Sequence, residues 1–182
     1  VGDWNGDKKP DVAVANQGSS DVSILVGNGT GGFGAVTSFP VAATPVGIVS
    51  ADFNGDTKPD LATVNFGGNN VSLLVGNGSG GFSAATNFAV GAQPGFIASS
   101  DVNGDMKPDV VTINGGNATV LLNNGSGGFG SPTNFAVGTG AQGVTVADLN
   151  GDTKLDLAIG QTGGGTIFLL AGNGTGGFGA PT

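Results

Sequence analysis

Short apolar runs of four or five residues recur along the chain, each bounded by glycine, asparagine and aspartate, and no stretch shows the three-to-four-residue period of an amphipathic helix. The first run of each unit covers 12–15, 61–64, 110–113 and 157–159. A Gly/Asn-rich turn such as 67–70 follows, and then a second run at 22–26, 71–75, 119–122 and 167–171. These second runs read as apolar on consecutive residues, the pattern of a strand covered on both faces. Next comes G-N-G-[ST]-G-G-F or a close variant, a glycine-rich hairpin turn ending at Phe33, Phe82, Phe129 or Phe178. Two further extended pieces, for example 86–90 and 95–100, close the unit, the second running directly into the next.

The pattern predicts four strands of about five or six residues per unit. The units span 3–51, 52–100, 101–147 and 148–182, the last incomplete, within one repeat domain, 1–182. A single sheet of this kind cannot bury both faces, whereas successive sheets stacked about an axis can. The expected fold is all-β: tandem four-stranded antiparallel blades forming a β-propeller or a propeller-like repeat array, with a linear stack as the alternative. The text begins and stops in mid-unit, so the expectation is either a window cut from a longer array or a subunit completed by a neighbour.

Composition narrows the chemistry. The 182 residues include 38 glycines and 8 prolines but no Cys, His, Arg, Tyr or Glu. A disulfide framework, a zinc site, a Cys or His nucleophile and an arginine clamp on phosphate are therefore excluded. Five lysines without arginine do not make a nucleic-acid surface, and no stretch reads as a membrane-inserting helix. Twelve of the thirteen aspartates, and all five lysines, lie in four copies of D-x-N-G-D-x-K-x-D that begin at Asp3, Asp52, Asp101 and Asp148; only Asp21 falls outside.

Each copy presents side-chain oxygens at positions 1, 3, 5 and 9. They are Asp3, Asn5, Asp7 and Asp11; Asp52, Asn54, Asp56 and Asp60; Asp101, Asn103, Asp105 and Asp109; and Asp148, Asn150, Asp152 and Asp156. Oxygen-only ligation with three carboxylates suits a hard cation, and an irregular loop suits Ca²⁺ better than the strict octahedron of Mg²⁺. The position-7 carbonyl of Lys9, Lys58, Lys107 or Lys154 is the expected backbone ligand, with its side chain directed to solvent. About four Ca²⁺ ions would bring the formal charge of −8 to zero. An EF-hand is excluded, because position 12 is Val14, Thr63, Thr112 or Ile159 where that loop needs Glu.

Segments such as 52–62, with Asp52, Asn54, Gly55, Asp56 and Asp60, and the L-V-G-N-G of 74–78 resemble the FG-GAP/VCBS repeats of calcium-binding β-propellers, the repeat type also found in integrin α-chain head domains. The resemblance covers essentially the whole chain. It implies blades, Ca²⁺ in the loop between the first two strands of each blade, and a place among secreted or cell-surface adhesion and scaffold proteins. Position 6, commonly Gly in that family, is Lys8, Thr57, Met106 or Thr153 here, and such propellers commonly carry about seven blades where this chain has at most four.

Asn28, Asn77, Asn124 and Asn173 each begin N-G-[ST], formally a glycosylation acceptor, although Asn-Gly is also the preferred hairpin turn. The four recurrent Phe residues read as core. The functional expectation is an extracellular, calcium-stabilised structural or adhesion module without catalytic activity, whose partners are proteins or copies of itself in a filament. A carbohydrate-binding propeller is the alternative, disfavoured by the shortage of Trp and Tyr. Antiparallel connectivity further predicts that the Asp loops and the N-G-[ST] turns share one rim.

Overall fold

In the computed structural model, which describes residues 1–163 and 165–182, the described residues form strands and turns and no helix. The strands are β1 (Val12–Asn16), β2 (Asp21–Leu25), β3 (Thr37–Pro40), β4 (Pro45–Ala51), β5 (Asp60–Asn65), β6 (Asn70–Leu74), β7 (Thr86–Ala89), β8 (Pro94–Ser100), β9 (Asp109–Asn114), β10 (Asn117–Leu121), β11 (Thr133–Ala136), β12 (Ala141–Ala147), β13 (Asp156–Gln161) and β14 (Ile167–Leu170). They make four antiparallel sheets in the orders β1-β2-β3, β4-β5-β6-β7, β8-β9-β10-β11 and β12-β13-β14. Sequence unit and sheet are offset by one strand: β4, which ends the first unit, pairs with β5 of the second. Strands β4, β8 and β12 lie beside one another, so the sheets fan out from a common inner side.

The hydrophobic core lies between sheets. Trp4, Val22 and Ile24 of the first sheet meet Leu61 and Leu74 of the second. Phe53, Ala62, Val71 and Leu73 meet Val110, Leu121 and Phe129, and Val102, Val111, Ile113 and Val120 meet Leu157, Ile159 and Leu170. β5 and β9, with a sheet on either side, are buried at every position, whereas β1 and β14 are only partly covered. The second runs behave alike, β6 and β10 being buried after their first residue while β2 alternates and β14 is largely open, so both runs are two-sided only where a neighbour stands on each face.

They also carry a polar rung that apolar counting overlooks. Asn65 Nδ2 donates to Asn70 Oδ1 (2.7 Å) and to Ser72 Oγ (2.8 Å), and Ser72 donates on to Asn87 (2.6 Å). In the first sheet Asn16 Nδ2 donates to Asp21 (2.7 Å), which accounts for the one aspartate outside the loops. Most buried polar side-chain atoms are tolerated because they find a partner; among the described residues Ser99 Oγ and Asn114 Nδ2 do not.

Consecutive sheets are also joined through aromatic rings. Phe39 contacts Phe82 of the next sheet edge to face at 5.3 Å, Phe88 contacts Phe129 at 5.0 Å and Phe135 contacts Phe178 at 5.4 Å. Phe33 corrects the expectation of four core rings: with no sheet before it, it is 50% exposed.

Candidate functional site

Each Asp loop joins an inner strand to the next, β4 to β5 and β8 to β9, and is organised by its own carboxylates. Asp52 Oδ1 accepts the N–H groups of Gly55 (2.7 Å) and Asp56 (3.1 Å), and its Oδ2 accepts that of Thr57 (2.7 Å). Asn54 Oδ1 accepts from Asp56 N (2.9 Å), and Asp56 Oδ1 from Lys58 N (2.9 Å). Asp101 and Asp148 repeat all three bonds from position 1, and Asp3 accepts from Gly6 N and Lys8 N. Such side-chain-to-backbone bonds are what Asp and Asn offer in tight turns. The wrap needs a left-handed residue at position 6, and Lys8, Thr57, Met106 and Thr153 adopt it, with φ of 64, 69, 65 and 68°. The departure from glycine thus puts a side chain in the left-handed region in all four loops, at the cost of strain.

The position-9 aspartates play a part that spacing alone does not reveal. Asp60 is fully buried; its Oδ2 accepts from Phe53 N (2.9 Å) and its Oδ1 from Gly76 N (2.7 Å), pinning the loop to the strand end beyond the hairpin. Asp11, Asp109 and Asp156 make the equivalent pairs of bonds. Burial pushes the carboxyls of Asp60 and Asp109 up from the ordinary range, and the neighbouring loop carboxylates push the same way. In contrast, the Lys9 and Lys58 N–H groups hold the exposed Asp7 and Asp56 below it.

The lysine side chains depart from expectation. Instead of leaving for solvent, each ammonium turns back on the position-5 carboxylate, at 3.2 Å for Lys9–Asp7, 3.6 Å for Lys58–Asp56, 3.1 Å for Lys107–Asp105 and 3.7 Å for Lys154–Asp152. Its aliphatic stem covers the glycine of the neighbouring turn: a Cβ on Gly78 would stand 2.9 Å from Lys58 Cδ. The cause is local attraction between the ammonium and the carboxylate two residues before it.

As donors, the loops fit a hard cation, since positions 1, 3 and 5 are exposed or half-exposed oxygens and each position-9 oxygen keeps a second lone pair. Asp52, Asn54, Asp56, Asp60 and the Lys58 carbonyl would hold the ion in the second loop. Among the described residues, however, no three acidic side chains are drawn into a metal-binding group. The backbone amides and the lysine hold them instead.

The loops and the N-G-[ST] turns do share one rim: Trp4 O accepts from Gly80 N of the following sheet (2.8 Å), and Val102 O from Gly176 N (3.2 Å). Within the turns, Asn77 Oδ1 accepts from Ser79 N (2.8 Å), Ser79 Oγ (3.1 Å) and Gly81 N (3.1 Å). Asn28 and Asn173 repeat all three bonds, and Asn124 accepts from Ser126 N. Each of these asparagines thus has a structural task as the cap of its own turn.

The FG-GAP-like repeat profile matches residues 3–63 and 101–159, most of the chain. The chain belongs to the FG-GAP-like repeat family. No curated protein matches this FG-GAP-like chain. Among solved structures, a lectin of Agrocybe aegerita described for its specific recognition of non-reducing terminal N-acetylglucosamine superposes with a TM-score of 0.68 at 22% identity, over 99% of this chain and 50% of its own. The complex of BBS1N with ARL6DN gives 0.68 at 15% identity, over 97% and 53%. The Photorhabdus luminescens Tc holotoxin pore gives 0.51 at 17% identity, over 86% and 8%. These likenesses place the FG-GAP-like chain in a propeller-like fold. It spans about half the length of the first two structures.

Proposed function

We propose that the chain is a non-catalytic recognition and scaffold module whose Asp loops are held by Ca²⁺ outside the cell. The observation that carries this reading is the fourfold recurrence, on one rim, of a loop with three aspartates and one asparagine but only one or two lysines. Four carboxylate-rich loops repel at close range, and the exposed lysine of each offsets little of that. A divalent ion displacing the ammonium removes the repulsion, and sites of this exposed kind fill at the millimolar calcium found outside cells. Glycans on Asn28, Asn77, Asn124 and Asn173 would line the same rim, and partners would then meet the opposite end.

The test of this reading is a melt in millimolar Ca²⁺ against excess chelator. Ion binding to the folded state at a hundredfold excess over Kd stabilises by about 2.7 kcal/mol per site, so the midpoint should rise by many degrees; an unchanged midpoint counts against it.

A further inference from the structure

At the end of the sheets opposite the Asp loops, three consecutive sheets enclose a depression of about 290 Å³. Phe66, after β5, and Phe96, at the start of β8, line it together with Gln93 and Gln142. Both rings stand well out into solvent, 41% and 38% exposed, although neither lies on the open face of a terminal sheet.

The repeat itself shows that the fold does not require them. Phe96 pairs with Ile113 as Gly47 pairs with Val64 and Gln142 with Gly160, and Phe66 stands one residue beyond β5 as Thr162 does beyond β13. Equivalent places elsewhere in this chain are therefore built without an aromatic ring, Thr162 N donating to Gly140 O as Phe66 N donates to Thr44 O. Each inner strand carries a bulge here, at Pro45/Gly47, Pro94/Phe96 and Gln142/Val144, the irregularity by which sheets re-aim side chains near a site. Gln93 is fixed by its backbone N–H to Asn69 Oδ1 (2.8 Å) and held at a left-handed φ of 54°. Neither glutamine side chain is engaged by another described residue.

No charged side chain lines the depression, so anions and metal ions gain nothing there. Its volume is at the lower limit for ligand pockets, the size of a single small ring system. Apolar ring faces beside free amides, each amide both donor and acceptor, match one chemistry best: a neutral ring with a C–H face to stack and hydroxyls to hydrogen-bond.

We propose that this depression is a carbohydrate site, taking one neutral pyranose unit with its C–H face on Phe66 and Phe96 and its hydroxyls on Gln93 and Gln142. It is independent of the cation reading, since the Asp loops occupy the other end. The test is saturation-transfer NMR of the calcium-loaded chain with N-acetylglucosamine, galactose, mannose and glucose, each at millimolar concentration. The expected result is transfer to the ring protons of at least one sugar, with affinity falling tenfold or more in Phe96→Gly and in Phe66→Gly. Phe96→Gly copies Gly47, and Phe66 stands 41% exposed beyond a strand end, so their melting midpoints should stay near that of the parent. Gln142→Ala, at an exposed position, should weaken the same signal and keeps the test sound if a glycine variant unfolds. No transfer from any of the four sugars, or transfer undiminished in the Phe66→Gly/Phe96→Gly double variant, would overturn the proposal.

Discussion

Replacing Asp60 by Asn is nearly isosteric, yet it removes one of two charge-assisted bonds inside the protein. Asp60 accepts from Phe53 N at 2.9 Å and from Gly76 N at 2.7 Å, with no access to water. In Asp60→Asn one oxygen becomes an NH₂ group facing a backbone N–H, which leaves that donor buried and unpaired. The lost bond to a charged acceptor and the unpaired amide are each worth about 1.5–3 kcal/mol, and they describe one event, so they do not add. Burial of the charge, which raises the Asp60 carboxyl, returns part of this. A net loss of about 2 kcal/mol follows, or roughly 4–8 °C in midpoint for a chain of this size. The assay is thermal and urea unfolding in excess chelator, which removes any contribution of bound ions. Asp52→Asn, on the exposed rim, is the control and should cost less than about 1 kcal/mol. Because the Asp60 pKa is raised on folding, its ionisation opposes stability: the parent should gain on this account as pH falls from neutral towards the ordinary carboxylate range, and Asp60→Asn should lack that gain. Equal stabilities for parent and Asp60→Asn in chelator would refute the role assigned to position 9.

Thr57 pays for its left-handed φ of 69°, so Thr57→Gly should stabilise by about 0.5–1 kcal/mol, the left-handed penalty less the entropy of glycine, as read from urea midpoints in chelator. A Cβ on Gly76 would meet the Pro59 carbonyl, whereas Asn123 occupies the equivalent position by donating from Nδ2 to Pro108 O at 3.0 Å; Gly76→Asn should therefore cost less than Gly76→Ala in a melt, although it is larger. Phe129 touches Phe53 and Phe88 and is 8% exposed, so Phe129→Ala should cost about 3–5 kcal/mol, while Phe33→Ala, with no preceding sheet, should cost under about 1 kcal/mol by the same unfolding curves.

Much of this architecture was legible because the fourfold repeat places each strand by the same local signals. The runs at 61–64 and 110–113 became β5 and β9, and antiparallel alternation put the Asp loops and N-G-[ST] turns on one rim. Burial of β1 and β14 was not legible, since it depends on how many sheets stand beside them. The double bond of Asp60 was hidden as well: its spacing from Asp52 reads as a ligand position, and only the fold brings Gly76 N to its second oxygen. The lysines were read outward because spacing says nothing of where a flexible ammonium finds its nearest carboxylate. Phe66 and Phe96 lie 30 positions apart in one sequence unit but on different sheets, and no periodicity connects them until three sheets fan around one hollow.

Counting the ions tests the central claim most directly. Native mass spectrometry of the chelator-stripped chain, returned to calcium, should show four successive Ca²⁺ additions, one for each Asp loop, and Asp56→Asn combined with Asp52→Asn should reduce the count to three. A chain that stays metal-free in calcium, or a count that ignores those substitutions, would contradict the assignment of the loops as calcium sites.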